Sequence, residues 1–363
     1  MSITVHWFLP TSGDSRNVVP GAGGHGRAAS LEYLAQVAKA AEQLGFDAVL
    51  TPTGTWCEDS WIVTAALSQH TSRLRFLVAF RPGASNPTLC AQMAATYQRL
   101  TGGRLLLNIV TGGEAEDQRR YGDYCSHDDR YRRTDEFIAV LRGAWSGPFD
   151  FEGTHFRVTG ATVALAPDPT PKLYFGGASQ AAEDVAARRV DVYLMWGEPP
   201  SAVSERIGRM HEKAGRAGRD LRFGIRLHVI TRPSAEEAWA EADRLLASMD
   251  HKTISNAQAY MARSESVGQR RMAALHGGRS DDLVVSPNLW AGIGLVRRGA
   301  GTALVGSYEE VAERIHEYHS LGIEEFILSG HPHLEEAYAV GEGVLPLVGQ
   351  GRPAELLDRA SIF

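Results

Sequence analysis

The chain has 363 residues, 44% of them hydrophobic and 22% charged, the usage of an ordinary soluble globular protein. A formal net charge of −6 removes the broad basic footprint that DNA or RNA binding needs, and no apolar run reaches the roughly 18 residues of a membrane span. The start, MSITVHWFLPTSGD, has neither the basic region nor the long apolar region of a secretory signal, and Cys57, Cys90 and Cys125 are odd in number with no CxxC spacing. Both features fit a reducing cytoplasm.

Short β-branched and aliphatic runs alternate with helical patterns along the chain. The expected strands are Ile3–Leu9, Ala48–Thr51, Leu74–Phe80, Arg104–Val110, Lys172–Phe175, Val192–Met195, Arg222–Ile230 and Glu325–Ser329. Between the first two, LEYLAQVAKAAEQLG repeats apolar residues at helical spacing and stops at Gly45; PTLCAQMAATYQRLTGG then opens on proline and closes on glycines. Further helices are expected over 132–145, 180–189, 202–217, 235–249 and 308–321. Strands alternating with helices argue for parallel pairing, and a single closed (β/α)8 barrel over 1–363 is the simplest arrangement, with a doubly wound open sheet as the competitor. Residues 250–300 are too long for an ordinary connection and read as an inserted segment, either a cover over a site or a subunit contact.

In a barrel of this kind the site lies at the strand ends, so the residues that follow each strand are the test. They include Ser12, Thr53, Trp56, Cys57, Arg81, Asn108, Thr111, Ser179, Trp196, Glu198, Arg226, His228, His331 and His333. RFGIRLHVI is the sharpest case. Side chains alternate along a strand, so Arg226 and His228 share one face while Ile225, Leu227 and Val229 share the other. The polar face either meets a ligand at the barrel mouth or is satisfied within the protein, by an ion pair for Arg226 and core hydrogen bonds for His228. In YFGGASQAAED, Gly176, Gly177 and Ser179 precede a helix, an arrangement that binds phosphate or simply caps the helix; Tyr131, just before another helix, could donate to the same phosphate. GAGGHG (21–26) matches a dinucleotide fingerprint by letters only, because it starts well past the first strand. His331 and His333 with His228 could ligate a metal, but the arginine and the asparagine, serine and tryptophan around them argue against a cation, so no metal is expected. Cys57 reads as a nucleophile or as a lining group.

Together, WFLPTSGD, TPTGTWCEDSW, GGRLLLNIVTGG, LYFGGAS, DVYLMWGEPP, RFGIRLHVI, SPNLWAGIGLVRRGAGTALVG and LSGHPHLEEAY resemble the alkanesulfonate monooxygenase branch of the bacterial-luciferase-like flavin monooxygenases, over Trp7 to about Leu347. The resemblance implies a (β/α)8 barrel and a two-component system. A separate NAD(P)H-dependent FMN reductase supplies reduced FMN (FMNH2), and the monooxygenase uses it with O2 to cleave a carbon–sulfur bond, giving an aldehyde and sulfite. It also implies a homodimer or homotetramer. Carried over residue by residue, it makes Cys57, Arg226, His228, Arg297 and His333 active-site positions, Asn108, Tyr131, Gly176, Gly177 and Ser179 flavin contacts, and Trp196 a pocket aromatic; the segment bearing Arg297 closes over the flavin. This chain departs from the pattern at Ser12 (usually histidine), at Thr55-Trp56 (usually arginine-serine) and at His331 (usually tyrosine). Ser12, Trp56, Trp196 and His331 are therefore the expected substrate-contacting positions, and a functionalised sulfonate such as sulfoquinovose stands beside simple alkanesulfonates. A flavin or deazaflavin oxidoreductase of the same fold acting on a non-sulfonate substrate is the alternative.

Overall fold

The structure is a computed structural model and describes residues 2–19 and 26–349; residues 21–25 of the GAGGHG stretch lie outside them. In chain order the strands are β1 (Thr4–Phe8), β2 (Ala48–Thr51), β3 (Arg75–Phe80), β4 (Leu105–Ile109), β5 (Phe149–Glu152), β6 (Arg157–Ala161), β7 (Leu173–Gly176), β8 (Val192–Trp196), β9 (Arg222–Arg232), β10 (Val284–Ser286), β11 (Leu289–Trp290), β12 (Ala303–Ser307) and β13 (Ile323–Ser329). The helices are α1 (Leu31–Leu44), α2 (Ser60–Leu67), α3 (Pro87–Thr101), α4 (Ala115–Arg120), α5 (His127–Ser146), α6 (Gln180–Arg189), α7 (Pro200–Arg216), α8 (Ala235–Ala247), α9 (His251–Met261), α10 (Val267–His276), α11 (Tyr308–Ser320) and α12 (His333–Gly343). None of the described helices is long and apolar enough to cross a membrane.

The ladder runs β9-β13-β1-β2-β3-β4-β7-β8 and returns from β8 to β9, all in parallel pairings. The β8–β9 pairing closes the barrel and excludes the open sheet. The eight expected strands are these eight. Local chemistry sets the helix ends as expected: Ser30 caps α1 and Gly45 ends it in the left-handed region at φ 96°, while Asn86 caps α3 ahead of Pro87. The helix expected from 132 begins at His127, because Asp128 and Asp129 favour a first turn. Tyr131 thus lies inside α5 rather than before it.

β9 is 11 residues long, and its length has a purpose in the ladder. Its first half pairs with β8, which ends at Trp196 opposite Arg226. From His228 onward β12 takes the place β8 vacates, pairing Ala303 with His228, and Thr302 Oγ1 donates to the Gly197 carbonyl at 2.6 Å across the junction. The sequence reading did not separate β12 from the long segment, nor expect the β5–β6 hairpin. Outward-facing Ile225, Leu227 and Val229 join the core between barrel and helices, and Phe8, Leu50, Leu77, Leu106, Tyr174, Val192 and Ile327 fill the barrel interior.

Candidate active site

The two-residue period of the strands builds the site wall. Phe8 on β1, Leu50 on β2, Ala79 on β3, Asn108 on β4, Gly176 on β7, Leu194 and Trp196 on β8, Arg226 on β9 and Ile327 on β13 all face one cavity of about 360 Å3 at the C-terminal end of the barrel. That volume lies in the range of small-molecule sites, and the apolar wall with few polar groups is their usual chemistry. Trp56, Arg81 and Tyr131 line it from the loops and α5. Ser266, Gly268, Gln269, Arg297, Arg298 and Gly299 line it from the stretch 250–300.

That stretch is fixed to the barrel by polar contacts. Glu198, buried after β8, receives both Arg206 (2.9 Å) and Arg271 of α10 (2.6 Å). Glu198 is therefore committed to a latch and is not a candidate acid. Arg130 donates to Glu265 at 2.6 Å, and the Glu265 amide to the Gly113 carbonyl at 3.1 Å. Gly268 lies so close to the Trp196 ring that an added Cβ would stand 3.0 Å from it. Trp196 thus carries α10 as well as lining the cavity. The loop bearing Arg297 is held by Gln258 on the Gly294 and Leu295 carbonyls (3.2 and 2.7 Å) and by Gln269 on the Gly299 amide (3.0 Å).

Arg226 and Arg297 differ from every arginine just named. Among the described residues neither guanidinium has an ion-pair partner or a hydrogen-bond acceptor; both lie near the Phe8 ring, at 4.2 and 5.8 Å from its centroid. Burial, and for Arg226 the proximity of Arg297, lower their pKa values to about 9 and about 10. Both side chains are half-buried, with Arg226 Nη1 buried outright, and a desolvated cation without a partner is costly. A second one beside it makes the space a receptor for an anion.

Next to this pair, across Phe8, stand three buried histidines. The His228 and His331 rings stack at 5.6 Å, His331 and His333 meet edge-on at 5.2 Å, and His333 lies 5.5 Å from Phe8. His228 Nδ1 meets Ser329 Oγ at 3.0 Å, as the Ser329–His228 register requires. His333 Nδ1 meets Asp14 Oδ1 at 2.8 Å. The Nε2 atoms of all three and Arg226 Nη1 are buried without a partner among the described residues. Burial holds all three histidines below the usual imidazole range, with Arg297 and Arg226 adding to it, so they are neutral at pH 7. Asp14, His331 and His333 also bring metal-type ligand atoms within 4.8 Å of one another. Their chemistry favours an anion instead. Asp14 already accepts from His333 Nδ1, from the His333 amide (2.7 Å) and from Tyr33 OH, and two guanidiniums face the group.

The other expected positions divide. Gly176 and Gly177 line the cavity just before α6, and an added Cβ on Gly177 would stand 2.5 Å from Ala182 and 3.2 Å from Tyr131 OH at a φ of +148°. Only glycine leaves that approach open. Ser179 caps α6 by accepting from the Ala182 amide (3.3 Å) and meets Tyr131, but does not itself line the cavity. Two expectations need correction. Ser12 is exposed on the turn after β1; Gly13, at φ +96°, swings the chain so that Asp14 enters the site instead. Cys57 lies off the cavity wall, its thiol donates toward the Gly54 carbonyl (3.5 Å), and burial pushes its pKa up to about 11, which opposes a nucleophilic thiolate. Asp14 and Tyr33 were missed. The only trace of Asp14 in the sequence is its place in LPTSGDS after the first strand.

The fold and cavity define a (β/α)8 barrel with a ligand-sized site at its strand ends, beside two guanidiniums without an ion-pair partner among the described residues. The chain belongs to the luciferase-like monooxygenase family, whose model matches residues 3–325. Among solved structures, a riboflavin lyase (RcaE) with modified FMN and riboflavin has a TM-score of 0.82 at 21% identity, covering 96% of this chain and 92% of that one. EDTA monooxygenase (EmoA) from Chelativorans sp. BNC1 gives 0.74 at 18%, covering 96% and 94%. An F420-dependent secondary alcohol dehydrogenase gives 0.70 at 20%, covering 96% and 99%. At these identities the likeness establishes the shared fold.

Proposed function

We propose that this chain is the oxygenating component of a two-component flavin monooxygenase acting on an organosulfonate. The observation that carries the reading is the pair of unpaired guanidiniums, Arg226 and Arg297, set between a flavin-sized cavity and three neutral imidazoles. A sulfonate is anionic at any physiological pH, and guanidinium forks match its oxygens.

The residues fit FMN. Gly176 and Gly177 just ahead of α6, with Tyr131 of α5, suit its phosphate, and Phe8, Ala79, Asn108, Leu194 and Ile327 suit a flat ring with a polar edge. Reduced FMN, delivered by a separate NAD(P)H-dependent FMN reductase, supplies the two electrons with which O2 yields one oxygen to the substrate carbon and one to water. The carbon–sulfur bond then breaks with its electron pair on sulfur, leaving an aldehyde and sulfite. In this reading Arg226 and Arg297 hold the sulfonate, and α10 with the Arg297 loop excludes water. His333 takes the proton from the carbon bearing sulfur, because it alone of the three has a carboxylate to stabilise the imidazolium. The free Nε2 atoms of His228 and His331 suit substrate hydroxyls, which favours a functionalised sulfonate such as sulfoquinovose over a bare alkyl chain.

The test is sulfite release from alkane-, aryl- and sugar-sulfonates, with a flavin reductase, FMN and O2 supplied. Sulfite that depends on all three supports the reading. Flavin binding with no sulfite from any sulfonate overturns it, and turnover of a non-sulfonate with flavin or deazaflavin would assign an oxidoreductase of the same fold.

A further inference from the structure

A chain of hydrogen bonds leads from the partly exposed rim of the barrel to the buried imidazoles. Glu335 receives Arg27 at 2.7 Å, Arg27 donates to Tyr33 OH at 3.2 Å, Tyr33 donates to Asp14, and Asp14 receives His333 Nδ1 at 2.8 Å. His333 Nε2 ends the chain, buried and without a partner among the described residues. Asp14 binds only as an acceptor here. His333 Nδ1 must therefore carry the hydrogen, and Nε2 is left with its lone pair.

The same carboxylate accepts the backbone amide of His333, the first residue of α12, at 2.7 Å, so it also neutralises a helix N-terminus. Burial raises the Asp14 pKa, but the bonds from His333 and Tyr33 outweigh it and bring it to about 2. Asp14 is thus an anion throughout the working range. The groups facing His333 are Asp14 from the turn after β1 and, through it, Tyr33 of α1, His331 from its own loop, His228 and Arg226 from β9, and Arg297 from the covering loop. Asp14 is the single anion among them.

We infer that Asp14 is a positioning residue that fixes the His333 proton on Nδ1, keeps Nε2 as the bare proton acceptor, and stabilises the imidazolium formed there, while Tyr33 moderates how strongly it does so. The inference rests on the reading of His333 as the proton acceptor. In that step the C–H bond breaks and an N–H bond forms at Nε2; the bonding pair stays on the carbon for its bond to oxygen, and the positive charge the proton brings to His333 is compensated by Asp14.

The experiment uses the full chain with ring-15N histidine and long-range proton–nitrogen NMR, the His333 signal being located by its loss in His333→Gln. In the parent protein the expected signal is Nδ1–H with a bare Nε2. In Asp14→Asn the amide oxygen can keep the α12 amide and Tyr33, and the amide NH2 then faces Nδ1. The His333 proton should move to Nε2 and its pKa should fall by at least about one unit. In Tyr33→Phe the Nδ1–H should persist while the pKa rises, because Asp14 loses a competing donor. An unchanged tautomer in Asp14→Asn, or no pKa change in Tyr33→Phe, overturns the inference; should Asp14→Asn not fold, Tyr33→Phe still decides. None of this needs a substrate, so its failure is distinct from failure of the sulfite screen. Where sulfite is released, kcat in Asp14→Asn should fall by about 10²–10⁴-fold with KM little changed. The acid limb of the kcat profile should move down in Asp14→Asn and up in Tyr33→Phe, opposite shifts that a merely structural role would not produce.

Discussion

The barrel holds two clusters of buried polar groups, and their difference separates structure from function. Toward the N-terminal ends of the strands, Glu325 is 1% exposed and accepts from His6 Nε2 (3.0 Å), Tyr174 OH (2.5 Å) and Arg222 (3.1 Å). His6 Nδ1 in turn lies 3.4 Å from Asp47, which pairs with Arg75. Each charge there has an opposite charge. Toward the C-terminal ends, Asp14 is bonded but, among the described residues, the Arg226 and Arg297 guanidiniums and three Nε2 atoms have no partner. The two clusters share β9, which carries Arg222 in the first and Arg226 and His228 in the second; the rest of the second comes from the loops after β1 and β13, the first residue of α12 and the covering loop. Burial is expensive for either; among the described residues the first leaves only His6 Nδ1 without a hydrogen bond, and that atom faces Asp47, whereas the second leaves Arg226 Nη1 and three imidazole nitrogens without any partner, as a ligand site does.

The comparison can be broken from either side. The largest effect should come from the open cluster. Arg297→Ala or Arg226→Met should cut sulfonate-dependent sulfite release by about 10²-fold or more, in line with the 2–5 kcal/mol lost when one partner of a buried charge contact is removed. The melting temperature of the ligand-free protein should hold or rise, because a half-buried unpaired charge goes with the arginine. Wild-type turnover in either variant would remove the anion clamp from the mechanism.

The closed cluster should behave in the opposite way. Glu325→Gln leaves His6, Tyr174 and Arg222 without their carboxylate and should lower unfolding free energy by about 3–5 kcal/mol, measured by denaturant titration, with kcat per folded molecule little changed. Its pH dependence has a definite sign. Burial raises the Glu325 pKa, but His6, Tyr174 and Arg222 bring it down to about 2 from an ordinary 4.5. The carboxylate's contribution is therefore complete above about pH 4.5 and is lost as pH falls toward 2, a difference of about 3 kcal/mol at 1.36 kcal/mol per unit. Acid-unfolding curves of Glu325→Gln should be flatter than the parent's across that window.

Smaller effects test the boundary between the clusters and their surroundings. Glu198→Gln weakens the latch to Arg271 and should speed amide exchange over 251–276 about tenfold, an opening cost near 1–2 kcal/mol for a hydrogen bond to a charged group. Cys57→Ser should change kcat less than about threefold, since the thiol is protonated in this setting; a large loss there would restore Cys57 to the chemistry.

Much of the site was legible in advance because strand periodicity is strict. Arg226 and His228 sit on one face by counting, and Asn108, Trp196 and Gly176 follow from the same count on their own strands. The loop after β1 was misread because a glycine turn, not a period, decides which residue points inward: Ser12 faces solvent and Asp14 the imidazoles. The role of Glu325 was hidden because its partners come from β1, β7 and β9, far apart in sequence and joined only by barrel closure.

By itself the sequence determined the alternation of strands and helices, the helix caps and the inward set on each strand, since these depend on local backbone sterics and a two-residue repeat. Tertiary structure alone decided which inward charges are paired and which are left open. That choice depends on barrel register and closure, which place Glu325 among three partners, bring Asp14 to His333, and carry Arg297 over Phe8 to stand beside Arg226 without a carboxylate.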